Sequence, residues 1–336
     1  MKKLSMLVAS SLLLLTACSS GGTSTGDNNA DSSDQTVTIG ITQIVEHPSL
    51  DAARKGFIQA LKDDGYEEGK NLKLDIQYAQ GDMSNNMTIA QKLVNDGDDL
   101  ILAISTPSAQ AVAQQTKDIP VLFTAVTDPL GAKLVDSIEK PGANVTGTSD
   151  THPDAIKNTI KSIKDFFPDA KNVGIIYNSG EQNSVVNVDK AKEELKANGL
   201  TAVEATITNS SEVKQAADSL VGRCDVIYIP KDNTVVSALE SVISVANDKD
   251  IPLFVGESDS VKRGGFAGYG FEYFDLGYKT GQMAIDILKN GKNPSDIPVG
   301  FPDDLNLVLN ETAAKEQGIT LTDDMKKFAR LVQTQN

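Results

Sequence analysis

DIPVLF at residues 118–123 returns almost unchanged as DIPLFV at residues 250–255, and the surroundings of the two copies decide the fold. DLILAISTPSAQAVAQQTK (99–117) precedes the first copy, and DVIYIPKDNTVVSALESVISVANDK (225–249) precedes the second. Each is an Asp, a short apolar run, a polar turn and an apolar stripe at helical spacing. An apolar run without alternation fits a strand covered on both faces. Further upstream, VTIGI (37–41) matches NVGII (172–176), and NLKLDIQYAQGDMSNNMTIAQKL (71–93) matches GLTAVEATITNSSEVKQAADSL (199–220). The chain therefore carries two β-α-β-α-β-α-β halves in the same order. Such alternation implies parallel sheets with helices on both faces and right-handed crossovers. The expected fold is α/β, with two similar doubly wound parallel-sheet lobes joined by a multi-strand hinge.

The 336 residues suffice for two domains, each with its own core. Residues 1–17 belong to neither. Lys2, Lys3 and an apolar run to Leu15 read as a secretory signal, too short to span a membrane. Its ending, Leu15-Thr16-Ala17-Cys18, has the form of a bacterial lipobox, in which Cys18 becomes lipid-modified and N-terminal. The plainer alternative is an ordinary signal peptide with a chance cysteine. SSGGTSTGDNNADSSDQ (19–35) is small and polar, so 18–36 reads as a lipidated Cys and a flexible tether. Beyond it, lobe 1 is expected over 37–147 plus about 271–302, and lobe 2 over 148–270. Residues 303–336 are expected to pack back across the lobes. KPGANVTGTSD (140–150), RGGFAGYGFEYFDLGYKTG (263–281) and VGFPDDLNLVLN (299–310) are the candidate crossings, and closure about such a hinge traps a ligand.

Removing Cys18 leaves only Cys224, so no internal disulfide is expected, and Cys224 reads as a small apolar filler. Loss of Lys2 and Lys3 from 31 basic residues leaves 29 against 46 acidic ones, a net charge of −17. So acidic a body is unsuited to nucleic acid, and the sequence shows no basic patch interleaved with aromatics. No catalytic constellation has the right spacing. His47 and His152 are far apart, and neither belongs to an H-E-x-x-H pair or a Cys/His cluster, so no zinc site is expected. GESDS (256–260) is not a nucleophile elbow, GYEEGK (65–70) is not a P-loop, and GGFAGYG (264–270) is not a dinucleotide fingerprint. Neither a catalytic residue, a metal nor a cofactor is expected.

Doubly wound sheets bind ligands outside the carboxyl ends of their strands. The loops there supply Glu46, His47, Ser105, Thr106, Ser108, Thr124 and Thr127 from the first half. The second half supplies Asn178, Glu181, Asn183, Asp232, Asn233, Glu257, Ser258 and Asp259, with Tyr269 from the second crossing. In Ser105-Thr106-Pro107-Ser108, Thr106 suits an N-cap and Pro107 the first helical position, and free N–H groups there make an anion site. Thr106 capping its own helix and nothing more is the simpler reading of that turn. Asp232, Glu257 and Asp259 are acceptors for a cation, although each alone is also an ordinary cap or turn residue. An anion pocket facing carboxylates suits a zwitterion. The absence of Trp, with ten Phe and seven Tyr, speaks against a sugar-stacking platform.

GITQIVEHPSLDAARKGF, STPSAQA, FTAVTDP, TGTSD, PKDNTVVSA and GESDSVKRGGFAGYGFEYFDLG, with the lipobox and tether, resemble the substrate-binding lipoproteins of ABC importers. More narrowly, they look like the tryptophan- and tyrosine-binding branch with the type I periplasmic-binding fold. The resemblance runs from about residue 37 to near the C-terminus. It implies a non-enzymatic, monomeric receptor, lipid-anchored on the extracytoplasmic face. Such a receptor hands a small solute, here a hydrophobic or aromatic L-amino acid, to ABC permease subunits. It further implies that Ser105, Thr106 and Ser108 hold the ligand carboxylate. Thr124 or Thr127 with Glu257 would hold the ammonium, with Asp232 or Asp259 able to replace Glu257. A secreted α/β enzyme or sensor acting on a small polar solute is the alternative, separated by testing for turnover.

Overall fold

The computed structural model describes residues 36–335; Cys18 and the expected signal and tether lie outside them. The first half runs β1 (Val37–Gln43), α1 (Pro48–Asp63), β2 (Leu72–Tyr78), α2 (Met83–Asp96), β3 (Leu100–Ile104), α3 (Thr106–Gln115), β4 (Val121–Val126) and β5 (Val145–Ser149). The second runs α4 (Ala155–Phe166), β6 (Asn172–Asn178), α5 (Gln182–Ala197), β7 (Thr201–Ile207), α6 (Val213–Leu220), β8 (Val226–Ile229), α7 (Asn233–Ser237), α8 (Leu239–Asp248), β9 (Leu253–Val255), α9 (Ser258–Arg263) and β10 (Ala267–Gly270). The chain then returns through α10 (Tyr273–Leu288) and ends in β11 (Asn306–Asn310), α11 (Glu311–Glu316), α12 (Asp323–Lys326) and β12 (Ala329–Val332).

The duplicated hexapeptides become β4 and β9, and the repeat extends to topology. The first sheet is ordered β2-β1-β3-β4-β5, and β7-β6-β8-β9-β10 repeats that order within the second. Neighbours are parallel throughout except β10 and β11. β3 and β4 are buried along their whole length, as apolar runs between two helical layers must be. Even the glycines correspond. A Cβ on Gly147 of β5 would meet the Phe123 carbonyl oxygen at 1.9 Å, and one on Gly268 of β10 would meet that of Val255 at 2.1 Å.

The lobes are joined where β5 leads to α4, where β10 leads to α10, and where Gly300, paired beside Thr148, leads to β11. β5 continues in the first sheet to Ser149, so the first crossing begins at Asp150, slightly beyond the expected boundary at 147. Residues 303–336 were expected across both lobes; β11 and β12 instead extend the second sheet, because Leu307, Val308 and Leu309 find their apolar cover there. Cys224 precedes β8 and packs beneath Gly174, half-buried as a filler. Among the described residues no helix is long and apolar enough to cross a membrane. No cluster of three His, Cys, Asp or Glu among them could hold a metal.

Candidate functional site

The carboxyl ends of β3 and β4 carry two residues in the left-handed region, Ser105 with φ +78° and Ala125 with φ +56°. A non-glycine residue held there costs roughly 1–3 kcal/mol, and such strain gathers at binding sites. Ala125 breaks the β4–β5 register between Phe123 and Val126 and turns the chain towards Thr127. Ser105, not the expected Thr106, is the N-cap of α3, with Pro107 one position further into the helix. The Ser105 hydroxyl makes no capping bond; it donates to Asn233 Oδ1 of the other lobe at 3.1 Å. Thr106 Oγ1 accepts from the Thr127 amide at 3.3 Å and so ties the two loops together. Beside them, His47 caps α1. Its side chain makes no capping bond, and its Nδ1 is buried with no partner. Burial, then the nearby Arg263 charge, lowers its pKa to about 4, so the ring is neutral at physiological pH.

The second lobe answers with amides and carboxylates. Glu181 accepts from Asn233 Nδ2 at 2.5 Å and from the Thr234 amide and hydroxyl at 3.1 and 2.6 Å. Asn183 donates to Glu181 at 3.2 Å, while its own Oδ1 is buried without a partner. Asp232 caps α7, accepting from the Val235 amide at 2.7 Å and the Asn178 amide at 2.6 Å. Burial, followed by repulsion from Glu181, raises its pKa to about 7. Glu257 accepts from Ser49 Oγ of the first lobe at 2.8 Å and from Ser260 Oγ at 3.0 Å, and Tyr273 OH lies 3.5 Å away. Its pKa is also raised, chiefly by burial.

Asp150, at the first crossing, accepts from Tyr273 OH at 2.8 Å and Thr127 Oγ1 at 3.2 Å. Lys231 of the second lobe donates to the Asp150 carbonyl, lies 3.7 Å from its carboxylate and sits 4.8 Å from the centre of the Phe271 ring. Asn187 reaches Thr127 Oγ1 from the second lobe at 3.5 Å. The cleft is thus closed, with its walls bonded directly through Ser49–Glu257, Ser105–Asn233, Asn187–Thr127 and Lys231–Asp150.

Of the residues expected from the sequence, His47, Ser105, Thr127, Glu181, Asn183, Asn233 and Glu257 come together here. Thr106 and Asp232 stand just behind as structural supports. Asn178 also supports the loops, donating to Thr234 Oγ1 at 3.0 Å. Ser108 turns away and bonds Asn86 Oδ1 at 3.1 Å, because one turn into α3 the side chain faces α2. Thr124 joins a buried hydroxyl chain with Thr148 and Thr280 inside the first lobe. Glu46 is exposed beside Gln80. Asp259 pairs with Lys262, and Ser258 lines a separate cavity of about 340 Å³ with Lys279 and Arg330. Tyr269 points to the outer face of the second sheet, near Asn158 and Met325, since strand alternation sends it opposite its neighbours. Sequence reading missed Ser49, Asp150, Asn187, Lys231, Phe271 and Tyr273. Lys231 and Asp150 were findable, because Asp150 directly follows β5 and Lys231 lies two residues beyond β8.

A family model described as ABC transporter substrate binding protein matches residues 38–333. The chain belongs to that family. Its members capture solutes outside the cytoplasm for a transporter and are not enzymes. This binding protein is 48% identical over 318 residues to the tyrosine-binding protein of Clostridioides difficile, covering 94% of this chain and 91% of that one. It superimposes with a TM-score of 0.84 on a Streptococcus pneumoniae ABC domain in complex with L-Trp, at 36% identity, covering 89% of this chain and all of that one. The ligand-free, open structure of a Clostridium difficile substrate-binding protein is 46% identical over the same share of the chains, yet scores only 0.66. The structure that is less similar in sequence is more similar in shape. That order fits the closed cleft described above.

Proposed function

We propose that this binding protein captures an aromatic or large apolar L-amino acid between its lobes, and that Cys18 tethers it to the membrane by a lipid. The carrying observation is Glu257, a buried cleft carboxylate that accepts from the Ser49 and Ser260 hydroxyls but is hydrogen-bonded to no cation. A buried carboxylate with no direct ion-pair partner is expensive, and the α-ammonium of a zwitterion supplies one. The ligand carboxylate belongs at the amino ends of α1 and α3, near the free His47 Nδ1 and Ser105, where helix dipoles favour an anion. Asn183 Oδ1 is a further unpaired acceptor of the kind a ligand satisfies. The likeness to proteins named for tyrosine binding or solved with L-Trp supports the same ligand class.

A ligand that binds only the folded state raises the melting temperature by mass action. L-Trp, L-Tyr, L-Phe and L-Leu should do so in a thermal-shift screen, whereas shifts confined to sugars or nucleosides would overturn the reading. For the anchor, Cys18→Ala should release the protein from membranes and abolish fatty-acid labelling. Persistent labelling of that variant would place the lipid elsewhere.

A further inference from the structure

Lys231 is an unusual residue to find in a cleft built for a cation. Its side chain is 10% exposed, and it leaves the end of β8 to cross from the second lobe to Asp150. There its ammonium has what a bound cationic group requires: a carbonyl oxygen, a carboxylate at 3.7 Å and an aromatic face at 4.8 Å. The Phe271 ring is itself held against Tyr273, centroids 4.9 Å apart, and Tyr273 donates to Asp150 at 2.8 Å. The slot is therefore ordered on every side. The amide groups of Asn183 and Asn187 approach the Lys231 carbonyl at 3.3 and 3.4 Å and fix the backbone from which the side chain starts.

We propose that Lys231 is a specificity-determining residue, an internal cation that fills this slot and excludes ligands with a positively charged side chain. The inference rests on the amino-acid reading above. Asp150 is consumed by Lys231, and Glu257 is left for one ammonium. The other cleft acids are already hydrogen-bonded within the second lobe, Glu181 to Asn183, Asn233 and Thr234 and Asp232 to the Val235 and Asn178 amides, so a second positive group on the ligand would face the Lys231 charge with no uncommitted carboxylate beside it. An apolar or aromatic side chain meets no such penalty. Selection is then by repulsion as well as by fit.

The test uses L-arginine and L-lysine as probes on the mature protein. The wild type should show no thermal shift with either. Lys231→Met removes the charge and exposes the Asp150 carboxylate and the Phe271 face, so it should gain affinity for at least one probe by roughly tenfold or more. Lys231→Arg, which keeps the charge, should refuse both. If the Met variant does not melt cooperatively, Lys231→Gln retains a donor for the Asp150 carbonyl and takes its place. A wild type that binds L-lysine or L-arginine, or a folded neutral variant that still refuses both, would overturn the proposal. The zwitterion reading fails separately, on L-Trp and L-Tyr with the wild type, so either conclusion can fall alone.

Discussion

Glu257 and Asp232 occupy matching places, each shortly after a strand of the second sheet and each at the start of a helix, yet their surroundings differ. Both oxygens of Asp232 are taken by backbone amides of its own lobe, at 2.7 and 2.6 Å. Glu257 spends its oxygens on hydroxyls, one of them Ser49 from across the cleft. Hydroxyls can rotate to other acceptors when a ligand arrives, and backbone amides cannot. Glu257→Gln should therefore lower ligand affinity by roughly 2–5 kcal/mol with little loss of fold, as when one partner of a buried charge pair is removed. Asp232→Asn should instead lower stability by about 1 kcal/mol or more, as a weakened cap does, with a smaller effect on affinity. Calorimetry and denaturant melts on both variants decide it. Near-native affinity in the Gln variant with a large loss in the Asn variant would transfer the ammonium to Asp232. Sequence reading ranked these two acids in this order but could not see that Lys231 already neutralises a third, Asp150, because that pairing spans the two lobes.

Ser49 and Tyr273 reach the cleft from the first turns of α1 and α10, which pack on each other unusually closely. A Cβ on Gly277 would stand 1.8 Å from the Ala53 carbonyl oxygen, and one on Gly56 would stand 2.0 Å from that of Phe274. The two backbones touch, so the helices share one rigid frame, and that frame fixes Ser49 relative to Tyr273. Gly277→Ala forces them apart. It should cost about 1–3 kcal/mol of stability, the usual range for overpacking, and should weaken ligand binding as well. A denaturation midpoint equal to the wild type would show that the contact yields easily. The strands and helices themselves were legible from their apolar periods. The helix pairing was not, since Gly277 reads equally well as a cap or a break.

At the scale of the molecule, the question is what holds the cleft shut. The walls meet through a handful of hydrogen bonds and one ion pair, each of modest net worth in water, so a bound ligand should decide the balance between open and closed forms. Scattering on the ligand-free protein should give a larger radius of gyration than the closed structure requires, and saturating L-Tyr or L-Trp should reduce it. An identical profile in both conditions would mean that the lobes stay closed without ligand. The contrast in shape between the L-Trp complex and the ligand-free, open relative motivates the experiment.

The sequence alone determined the duplicated lobes, the order of elements along the chain and most of the loops at the strand ends. Those follow from local rules: apolar runs for buried strands, helical stripes between them, and right-handed crossovers. It also pointed to hydroxyls, amides and carboxylates, but not to the Lys231 ammonium or the Phe271 and Tyr273 rings among them. Only the tertiary structure decided which of those groups meet. Ser108 and Tyr269 lie in the expected segments but face α2 and the outer sheet, because side-chain direction depends on helical phase and strand alternation. Ser49, Asp150, Lys231 and Tyr273 became neighbours only when three crossings brought distant parts of the chain to one hinge. No window of sequence contains that proximity; it comes from closing one lobe on the other.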